Sequence, residues 1–326
     1  MQKITVIGAG SWGCSLAMHL AREHAGIHLW DIDTSLLENM QKTRENTRYL
    51  PGLSLPEALI IEADLSAALK QTDLVLIVVP SHVFAKALAS IKPHIASHTP
   101  VIWASKGIAP DSLKLLHEVA HELLGARAMA ALSGPSFARE VAEGLPTILD
   151  MASNGTALSE TLHSLFDHGK LRLHDNPDFI SVQLGGAMKN VVAIAVGMAD
   201  GLGMGTNAKC ALMTIGLQDE MRMAKALGAD SGQDLMSFSG VGDLILTCTD
   251  NQSRNRRFGK LLGEGQTQAD ALAEINQTVE GLDNCPLMLK LAEKHGVELK
   301  VTHGLQRVLS GESAPDQAIQ AMLGFI

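Results

Sequence analysis

Residues 4–13 read Ile4-Thr5-Val6-Ile7-Gly8-Ala9-Gly10-Ser11-Trp12-Gly13, a short apolar strand followed by three spaced glycines and the start of a helix. In this pattern Gly8 permits a tight turn, Gly10 lets the backbone approach a pyrophosphate, and Gly13 allows the helix to pack closely. A helix is predicted to follow, from Ser15 to Arg22, and the free N–H groups at its start attract phosphate. The stretch predicts a dinucleotide-binding turn, and the alternative is a turn that serves strand-to-helix geometry alone.

Strands and helices alternate through the rest of the N-terminal half, to about Leu173. The run Leu74-Val75-Leu76-Ile77-Val78-Val79 has no polar alternation, which is typical of a strand buried on both faces of a parallel sheet with right-handed crossovers. Asp31 follows the second strand, about 20 residues beyond the glycines, where an acid can hold a ribose hydroxyl. The predicted strands are Ile4 to Ile7, His28 to Trp30, Leu74 to Val79, Val101 to Ala104, Ala128 to Leu132 and Thr147 to Leu149.

Beyond Asn176-Pro177 the strand signals fade and long helical patterns follow, at Gln183 to Gly197, Ala208 to Leu227 and Gln268 to Ile275. At 326 residues the chain also exceeds the size that one hydrophobic core usually serves. We therefore predict a Rossmann-type, doubly wound α/β domain over residues 1–178 that binds a dinucleotide. A helical domain over residues 179–326 would bind the substrate.

Composition restricts the class of partner and the compartment. A formal net charge of -9, with 46% hydrophobic and 19% charged residues, is typical of a soluble globular protein and argues against affinity for nucleic acid or anionic membrane. The cysteines form no C-x-x-C pair, which argues against a zinc ribbon or a disulfide framework and favours a reducing cytoplasm. They are Cys14, Cys210, Cys248 and Cys285.

One apolar segment, Leu184 to Leu202, is long enough to be considered as a membrane span. Lys189, Asn190 and Asp200 interrupt it, and charged groups are costly inside a bilayer. We therefore predict a buried helix that carries function, and no membrane insertion.

The segment His117-Glu118-Val119-Ala120-His121 matches the H-E-x-x-H pattern of zinc proteases. An apolar stripe with helical spacing runs through the same segment, and no third ligand follows at the metzincin spacing. We predict a packing helix with two solvent-side histidines, and no metal. The stripe consists of Leu113, Leu116, Ala120 and Leu123.

Two lysines occupy positions suited to chemistry. Lys106 follows the strand that ends at Trp103-Ala104, and ligands of open α/β sheets bind at that end of the strands, although a solvated surface lysine is the alternative. Lys189 lies inside the apolar run from Gly185 to Ala195, where burial would depress its pKa and suit it to proton transfer near neutral pH. The alternative for Lys189 is a side chain that snorkels to solvent.

A polar run from Ser239 to Gly259 stands out in the otherwise apolar second half. It contains Asp243 and Thr247, followed by Ser253-Arg254-Asn255-Arg256-Arg257. A guanidinium can hold two phosphate oxygens, and neighbouring Ser and Asn side chains can donate to a third, so the run predicts a phosphorylated small substrate. Gly134-Pro135-Ser136-Phe137 follows a strand and opens a helix, which predicts a second site with backbone donors.

Seven motifs of the chain, taken together and in their order along the sequence, resemble those of bacterial NAD(P)-dependent glycerol-3-phosphate dehydrogenases. They extend over nearly the whole chain. The lysine-asparagine helix and the Ser-Arg-Asn-Arg-Arg run are the most specific of them. The motifs are the glycine stretch 8–13, Ser105-Lys106-Gly107, Ser133-Gly134-Pro135-Ser136-Phe137-Ala138, Leu184-Gly185-Gly186-Ala187-Met188-Lys189-Asn190, Gly242-Asp243-Leu244, Thr247 through Gly259, and Val279-Glu280-Gly281.

The resemblance implies reversible reduction of dihydroxyacetone phosphate to sn-glycerol 3-phosphate, a phospholipid precursor, by a cytoplasmic homodimer that uses NAD(H) and NADP(H). Lys189 would donate and accept the proton, with Lys106 and Asp243 beside the reacting carbon. The other residues implied to bind substrate are Gly134, Ser136, Asn190, Thr247, Ser253, Arg254 and Asn255. Those implied to contact the cofactor, besides Gly8, Gly10, Gly13 and Asp31, are Ser11, Trp12, Lys106, Ala138, Arg254 and Glu280.

Many relatives have Arg or His where Asp31 follows Leu29-Trp30, so we expect NADH to be used as well as NADPH. Two other functions fit the residues alone. One is a related β-hydroxyacid dehydrogenase that acts on a carboxylate, because Arg254 does not distinguish carboxylate from phosphate. The other is a dinucleotide-sensing module without turnover, which would have no use for a buried proton donor.

Overall fold

The N-terminal part of the chain forms one eight-stranded sheet in a computed structural model that describes residues 2–229 and 232–326. The strands are β1 (Ile4–Ile7), β2 (Ile27–Trp30), β3 (Leu59–Ile61), β4 (Leu74–Ile77), β5 (Val101–Trp103), β6 (Met129–Ser133), β7 (Thr147–Ser153) and β8 (Leu171–Asp175). Their order in the sheet is β3-β2-β1-β4-β5-β6-β7-β8. All neighbouring pairs are parallel except β6 and β7.

Helices alternate with these strands and then make up the rest of the chain. Those of the first part are α1 (Ser11–Ala21), α2 (Thr34–Thr43), α3 (Leu65–Leu69), α4 (Ser81–Ile91), α5 (Leu116–Leu124), α6 (Ala138–Glu143) and α7 (Thr156–Phe166), with a 3₁₀ turn at Lys92–His94. The later ones are α8 (Phe179–Gly201), α9 (Gly205–Leu227), α10 (Asp243–Thr249), α11 (Arg254–Gly263), α12 (Gln268–Ile275), α13 (Glu280–His295), α14 (Lys300–Leu309) and α15 (Pro315–Leu323). A 3₁₀ turn at Gly232–Leu235 and a π-helical turn at Phe238–Gly242 precede α10.

The chain divides into two compact units. The N-terminal unit comprises Met1–Ala109 and Lys114–Phe179, and the C-terminal unit comprises Pro110–Leu113 and Ile180–Ile326. The N-terminal core is formed by the strands and by the helices that pack on them, α1 among them. In the C-terminal unit the core surrounds α8, whose residues from Val191 to Ala199 are almost all buried in it.

The predicted fold class, a doubly wound α/β domain followed by an all-α domain, is confirmed. The expectation of a wholly parallel sheet is wrong at β7, which runs antiparallel to β6. The intervening α6 has six residues and spans only about 9 Å, too short to carry the chain back along the sheet. The chain therefore turns back, and β7 starts beside the carboxyl end of β6. The edge strands β3 and β8 were not predicted, since β3 has three residues and β8 alternates with exposed polar side chains.

Within the described residues, α8 is the one helix long and apolar enough to cross a membrane, and most of it is buried inside the protein. Nineteen consecutive residues of α8, from Ser181 to Ala199, are buried. Because the apolar surface already packs against protein, its composition is explained by its place in the core.

Candidate active site

The glycine turn between β1 and α1 has the backbone geometry that its sequence predicts. Gly8 lies at φ +111°, in the region that favours glycine, and a Cβ there would lie 2.3 Å from the carbonyl oxygen of Val78. A Cβ on Gly13 would lie 2.0 Å from the Gly8 oxygen, so α1 packs directly on the turn. At Gly10 a Cβ would meet nothing within 4 Å. The turn therefore presents open space at Gly10, beside the first helical residue Ser11, as a pyrophosphate group requires.

Two side chains hold this turn from outside. The Asp31 carboxylate accepts hydrogen bonds from the backbone N–H of Ala9 at 2.6 Å and of Asp33 at 2.9 Å. The fully buried Asn46 donates to the Ala9 carbonyl at 2.8 Å and accepts from the Tyr49 N–H at 3.0 Å. Asp31 thus lies beside the turn, and its contact with a ribose hydroxyl stays a prediction. Sequence reasoning missed Asn46, because nothing in this polar loop marks one side chain as buried.

The other predicted residues of the N-terminal unit gather near the carboxyl end of β5 and β6. Lys106 donates from Nζ to the Gly134 carbonyl at 3.3 Å, and Ser136 Oγ donates to the same oxygen at 2.9 Å. The carbonyl of Ala138 accepts from Ser15 Oγ at 2.6 Å, and Ser15 also donates to the Ser11 carbonyl. Hydrogen bonds therefore connect the Gly134–Ala138 segment both to Lys106 and to the helix that follows the glycine turn. Trp12 is partly buried against the core of this unit.

In the C-terminal unit, the Lys189 ammonium forms a hydrogen-bonded ion pair with Asp243. The Lys189 residue is 8% exposed and Asp243 is 0% exposed. Gly185, one turn before Lys189, allows this contact: a Cβ there would lie 2.4 Å from the carbonyl oxygen of Ser239 in the π-helical turn. Because that turn ends at Gly242, Asp243 becomes the first residue of α10 and lies beside α8.

A second group of side chains connects α8, α11 and α13. Asn190 donates to Glu280 Oε2 at 3.1 Å and accepts from Asn255 Nδ2 at 2.9 Å. The other amide atom of Asn255, Oδ1, accepts from the Gly281 N–H at 2.9 Å. Thr247, from α10, donates to the Asp243 carbonyl at 2.7 Å. The structure thus fixes the orientation of both asparagine amides, and Asn190 directly follows the buried lysine in sequence.

The Ser-Arg-Asn run divides its arginines between two roles. Ser253 caps α11 by accepting from the Arg256 N–H at 3.2 Å. Arg256 is buried and pairs with Asp200 at 2.7 Å and with Asn251, so its guanidinium holds α11 to α8. Arg254 is half-buried and forms no hydrogen bond or ion pair with the rest of the described chain. Of these two cations, Arg254 is therefore the one available to a ligand.

Glycines bring α8 and α11 into backbone contact. A Cβ on Gly197 would lie 2.1 Å from the Arg256 oxygen, and one on Gly259 would lie 1.9 Å from the Ile194 oxygen. Gly201 and Gly263 extend the same contact by one helical turn. This close crossing places Asn255 within reach of Asn190. The signal was present in the sequence as glycines four residues apart in each helix.

Sequence reasoning also missed Glu220, a carboxyl of α9 that is 0% exposed. Burial, followed by the charges of Asp243 and Asp219, raises the pKa of Glu220 well above its ordinary value, while Lys189 opposes this shift. Glu220 belongs to an ordinary helical pattern, so only its three-dimensional neighbours distinguish it from a surface acid.

The H-E-x-x-H segment forms part of α5, as predicted for a packing helix. Glu118 is engaged as a cap, because its Oε2 accepts from the Leu115 N–H at 2.8 Å. The expectation that both histidines face solvent is wrong for His117, whose ring packs 5.6 Å from that of Phe179, whereas His121 is exposed. Across residues 2–229 and 232–326, no group of three His, Cys, Asp or Glu side chains is arranged to hold a metal ion.

Comparison with known proteins identifies the family. The model of the NAD-dependent glycerol-3-phosphate dehydrogenase N-terminus matches residues 3–159, and that of the C-terminus matches residues 178–320. A curated glycerol-3-phosphate dehydrogenase (NAD(P)+) from Serratia proteamaculans is 46% identical over 323 residues, which cover 98% of this chain and 95% of the relative. The crystal structure of glycerol-3-phosphate dehydrogenase from Coxiella burnetii is similar with a TM-score of 0.96 and 42% identity over 99% of each chain. The structure of the enzyme from Saccharomyces cerevisiae gives a TM-score of 0.85 and 25% identity, again over 99% of each chain. The chain therefore belongs to the NAD-dependent glycerol-3-phosphate dehydrogenase family.

Proposed function

We propose that Lys189 is the proton donor in the NAD(P)H-dependent reduction of dihydroxyacetone phosphate to sn-glycerol 3-phosphate. As a member of its family the chain is an NAD(P)-dependent oxidoreductase. The observation that carries the assignment of Lys189 is its buried ion pair with Asp243 in the same unit as the unpaired Arg254. A buried cation, in a unit that also offers an unpaired arginine for an anion, suits the reduction of a phosphorylated ketone.

The glycine turn and its neighbours fit the dinucleotide. Gly8, Gly10 and Gly13 would accept the pyrophosphate at the start of α1, with Ser11 and Trp12 in the same helical turn. Asp31 keeps lone pairs beyond those used by Ala9 and Asp33, so it can still accept from a ribose hydroxyl. We assign Lys106, Ala138, Arg254 and Glu280 to cofactor contacts on the family resemblance. When bound, the reduced nicotinamide supplies the hydride.

The substrate phosphate would be held at the start of α11. Arg254 offers a planar fork for two phosphate oxygens, and Asn255 lies beside it with its amide orientation already fixed. Ser253 belongs to the same turn and Thr247 to the preceding helix. We assign Gly134, Ser136 and Lys106 to substrate contacts on the family resemblance. These residues explain why a phosphorylated ketone would be preferred to a plain one.

Negative charge develops on the ketone oxygen as its carbon is reduced. The Lys189 ammonium can stabilise that charge and then transfer a proton from Nζ to the oxygen. Before the proton is transferred, Asp243 would orient the ammonium group and balance its charge. Asn190 is the next residue on α8, and its bonds to Glu280 and Asn255 hold that turn of the helix in place. In the oxidation direction Lys189 would take the proton back.

Oxidation of NADH and NADPH, followed with dihydroxyacetone phosphate and with several 2-oxo acids, tests the substrate assignment. Turnover of dihydroxyacetone phosphate without turnover of the 2-oxo acids supports the substrate assignment. Preferential turnover of a 2-oxo acid would instead show a β-hydroxyacid dehydrogenase, the alternative that the sequence leaves open. A dinucleotide sensor without turnover is not supported, because the family consists of dehydrogenases.

The Lys189→Met variant tests the proton donor. It should fold and bind cofactor, yet lose turnover by roughly 100- to 10,000-fold, which is the usual contribution of a positioned general acid. Cofactor binding, measured by quenching of tryptophan fluorescence, serves as the control for folding. A kcat close to that of the unaltered chain would remove Lys189 from the mechanism.

We further infer a cytoplasmic homodimer that supplies glycerophospholipid synthesis. Cysteines without disulfides, three of them buried, suit a reducing compartment. The subunit has a mass of 34.6 kDa, so sedimentation equilibrium should give about twice that value in a dimer. A mass equal to one subunit across the working concentrations would contradict the dimer.

A further inference from the structure

Glu220 is a buried carboxyl that the proposed reduction does not use. The residue is 0% exposed, and neither of its carboxyl oxygens has a hydrogen-bond partner among the described residues. A carboxylate without partners is very costly to bury, and such a group takes up a proton instead. Burial and isolation together therefore favour the uncharged acid at position 220.

Glu220 lies near the proposed proton donor, Lys189, and its partner Asp243. Gly216, one turn earlier on α9, packs on α8, since a Cβ there would lie 2.6 Å from the Val192 side chain. This approach brings Glu220 into the electrostatic range of Lys189 on α8 and of Asp243 on α10. The Cys248 thiol of α10 is also buried, and the charge of Glu220 is second only to burial in raising its pKa.

The adjacent residue shows what a structural acid looks like in this helix. Asp219 is also 0% exposed, but it accepts from the Val301 N–H at 2.9 Å and pairs with Arg222. Asp219 therefore has a clear role in holding α14 to α9. Glu220 makes no comparable contact, so a structural role does not explain an acid at its position.

We propose that Glu220 is a positioning residue for the reduction step: its charge state, and not its shape, controls how firmly Lys189 holds the proton that it donates. This proposal rests on the assignment of Lys189 as proton donor. While Glu220 is uncharged, the Lys189–Asp243 pair remains balanced. When Glu220 ionises, its carboxylate adds negative charge near the ammonium and favours the charged form of Lys189.

The charges that bear on Glu220 come from three helices. Asp243 on α10 and Asp219 on α9 oppose its ionisation, and Lys189 on α8 favours it. Burial is the first cause that raises the pKa of Glu220 well above its ordinary value, so this carboxyl ionises at higher pH than an exposed glutamate does. Arg256 on α11 acts on Cys248 in the same region and pairs with Asp200. Loss of an ionisable group at 220 should therefore alter the alkaline side of the activity profile.

The test is the pH profile of kcat/KM for ketone reduction in four proteins: the unaltered chain, Glu220→Gln, Glu220→Leu and Glu293→Gln. Gln preserves the shape of the uncharged acid and Leu removes its polarity, while Glu293 is an exposed acid of α13 that serves as the control. Both variants at 220 should lose activity at lower pH on the alkaline side, by about one pH unit, the size of shift that a nearby charge produces. Glu293→Gln should leave the profile in place. An unshifted profile in Glu220→Gln would overturn the proposal, whether or not the profile of Glu220→Leu shifts.

Infrared spectroscopy of the free protein provides a readout that does not depend on turnover. A buried, protonated carboxyl gives a C=O stretch separate from the carboxylate bands, and it should disappear as the pH of the unaltered chain is raised. Glu220→Gln should lack this band if it folds, which a thermal melt checks. Absence of the band at neutral pH would refute the uncharged state whatever the kinetics show. Failure of Lys189 as proton donor would appear separately, as undiminished turnover of Lys189→Met.

Discussion

Arg254 and Arg256 are two residues apart, yet only one of them is free to bind a ligand. Lysine at position 254 keeps the charge but loses the two-pronged hydrogen bond to phosphate. We expect Arg254→Lys to lower kcat/KM for dihydroxyacetone phosphate by about tenfold or more, because a hydrogen bond to a charged group contributes about 1.5–3 kcal/mol. Unphosphorylated dihydroxyacetone should be affected much less. Steady-state rates on both ketones measure the difference.

Arg256→Lys is the matched control, because Arg256 is committed to Asp200 and Asn251. That variant should lower stability in urea and affect the two ketones alike. If Arg254→Lys also impaired both ketones equally, Arg254 would not contact the phosphate.

We expect the preference between NADH and NADPH to depend on the charges at the end of β2. Asp33 pairs with Arg48 at 3.2 Å, and the pKa of the Asp33 carboxyl is lowered chiefly by hydrogen bonds from Ser35 and Leu36. Arg44 donates to the carbonyls of Pro56 and Leu59, so Arg48 is the better placed of the two to neutralise a 2′-phosphate. We predict use of both cofactors, with NADPH preferred less than tenfold in kcat/KM, or under about 1.4 kcal/mol. Arg48→Ala should reduce use of NADPH more than of NADH.

Initial rates with each reduced cofactor, in the unaltered chain and in Arg48→Ala, decide this question. A hundredfold preference for NADPH would mean that Asp31 does not face the ribose. Equal losses on both cofactors in Arg48→Ala would show that Arg48 has no contact with the 2′-phosphate.

At this scale the sequence was informative where a residue contradicted its surroundings. Lys189 could be singled out because a cation interrupts an apolar helix, and its pairing with Asp243 agrees with that reading. Asn46 and Glu220 could not, because nothing in a polar loop or an amphipathic helix marks one side chain as fully buried. Their environments are created by segments distant in the chain, such as Ala9 for Asn46 and Asp243 for Glu220.

Among the secondary-structure elements, the contact of α8 with α11 is the one on which the candidate site depends. In Gly259→Ala the added Cβ would lie 1.9 Å from the Ile194 oxygen, so the helices must separate. We expect a loss of about 1–3 kcal/mol in the free energy of unfolding, as for other overpacked sites. The KM for the phosphorylated ketone should rise as well, because Asn255 moves away from Asn190. Urea unfolding and steady-state kinetics measure the two effects.

Gly155→Ala is the matched control, since Gly155 has extended backbone and a Cβ there would meet nothing within 4 Å. It should leave the KM unchanged and lower the free energy of unfolding by less than Gly259→Ala does, through the N-cap of α7 alone, where alanine is less favourable than glycine. If Gly259→Ala were as stable and as active as this control, the close helix crossing would not support the site.

Element types followed from periodicity, whereas strand direction did not. The buried run at β4 and the glycine turn after β1 were sufficient to predict the α/β class. The reversal at β7 depends on the length of α6 and on Gly144, which ends that helix in the left-handed region. A sequence pattern that marks helix and strand carries little information on whether a short connection crosses the sheet or turns back.

At the scale of the whole molecule, the two units can be followed separately, because they differ in their tryptophan content. The chain has three tryptophans, and all of them, Trp12, Trp30 and Trp103, lie in the N-terminal unit. Tryptophan fluorescence therefore follows unfolding of that unit, whereas far-ultraviolet circular dichroism follows the helices of both. The two signals allow the pH dependence of the units to be separated, which a single transition would not.

Acid should destabilise the N-terminal unit through the buried His19. Burial lowers the pKa of His19 to about 4 from 6.5, and its ring stacks on that of His168 at 3.9 Å. The unfolded chain then binds a proton that the folded chain refuses, so this stability is complete above about pH 6.5 and is lost as the pH falls toward about 4. The shift corresponds to about 3 kcal/mol. We expect the urea concentration at the unfolding midpoint, measured by fluorescence, to decrease as the pH is lowered from about 7.5 to about 5. The decrease should be smaller in His19→Gln. Gln keeps a donor for the Phe166 carbonyl but does not titrate, so an equally steep loss in that variant would place the acid sensitivity elsewhere.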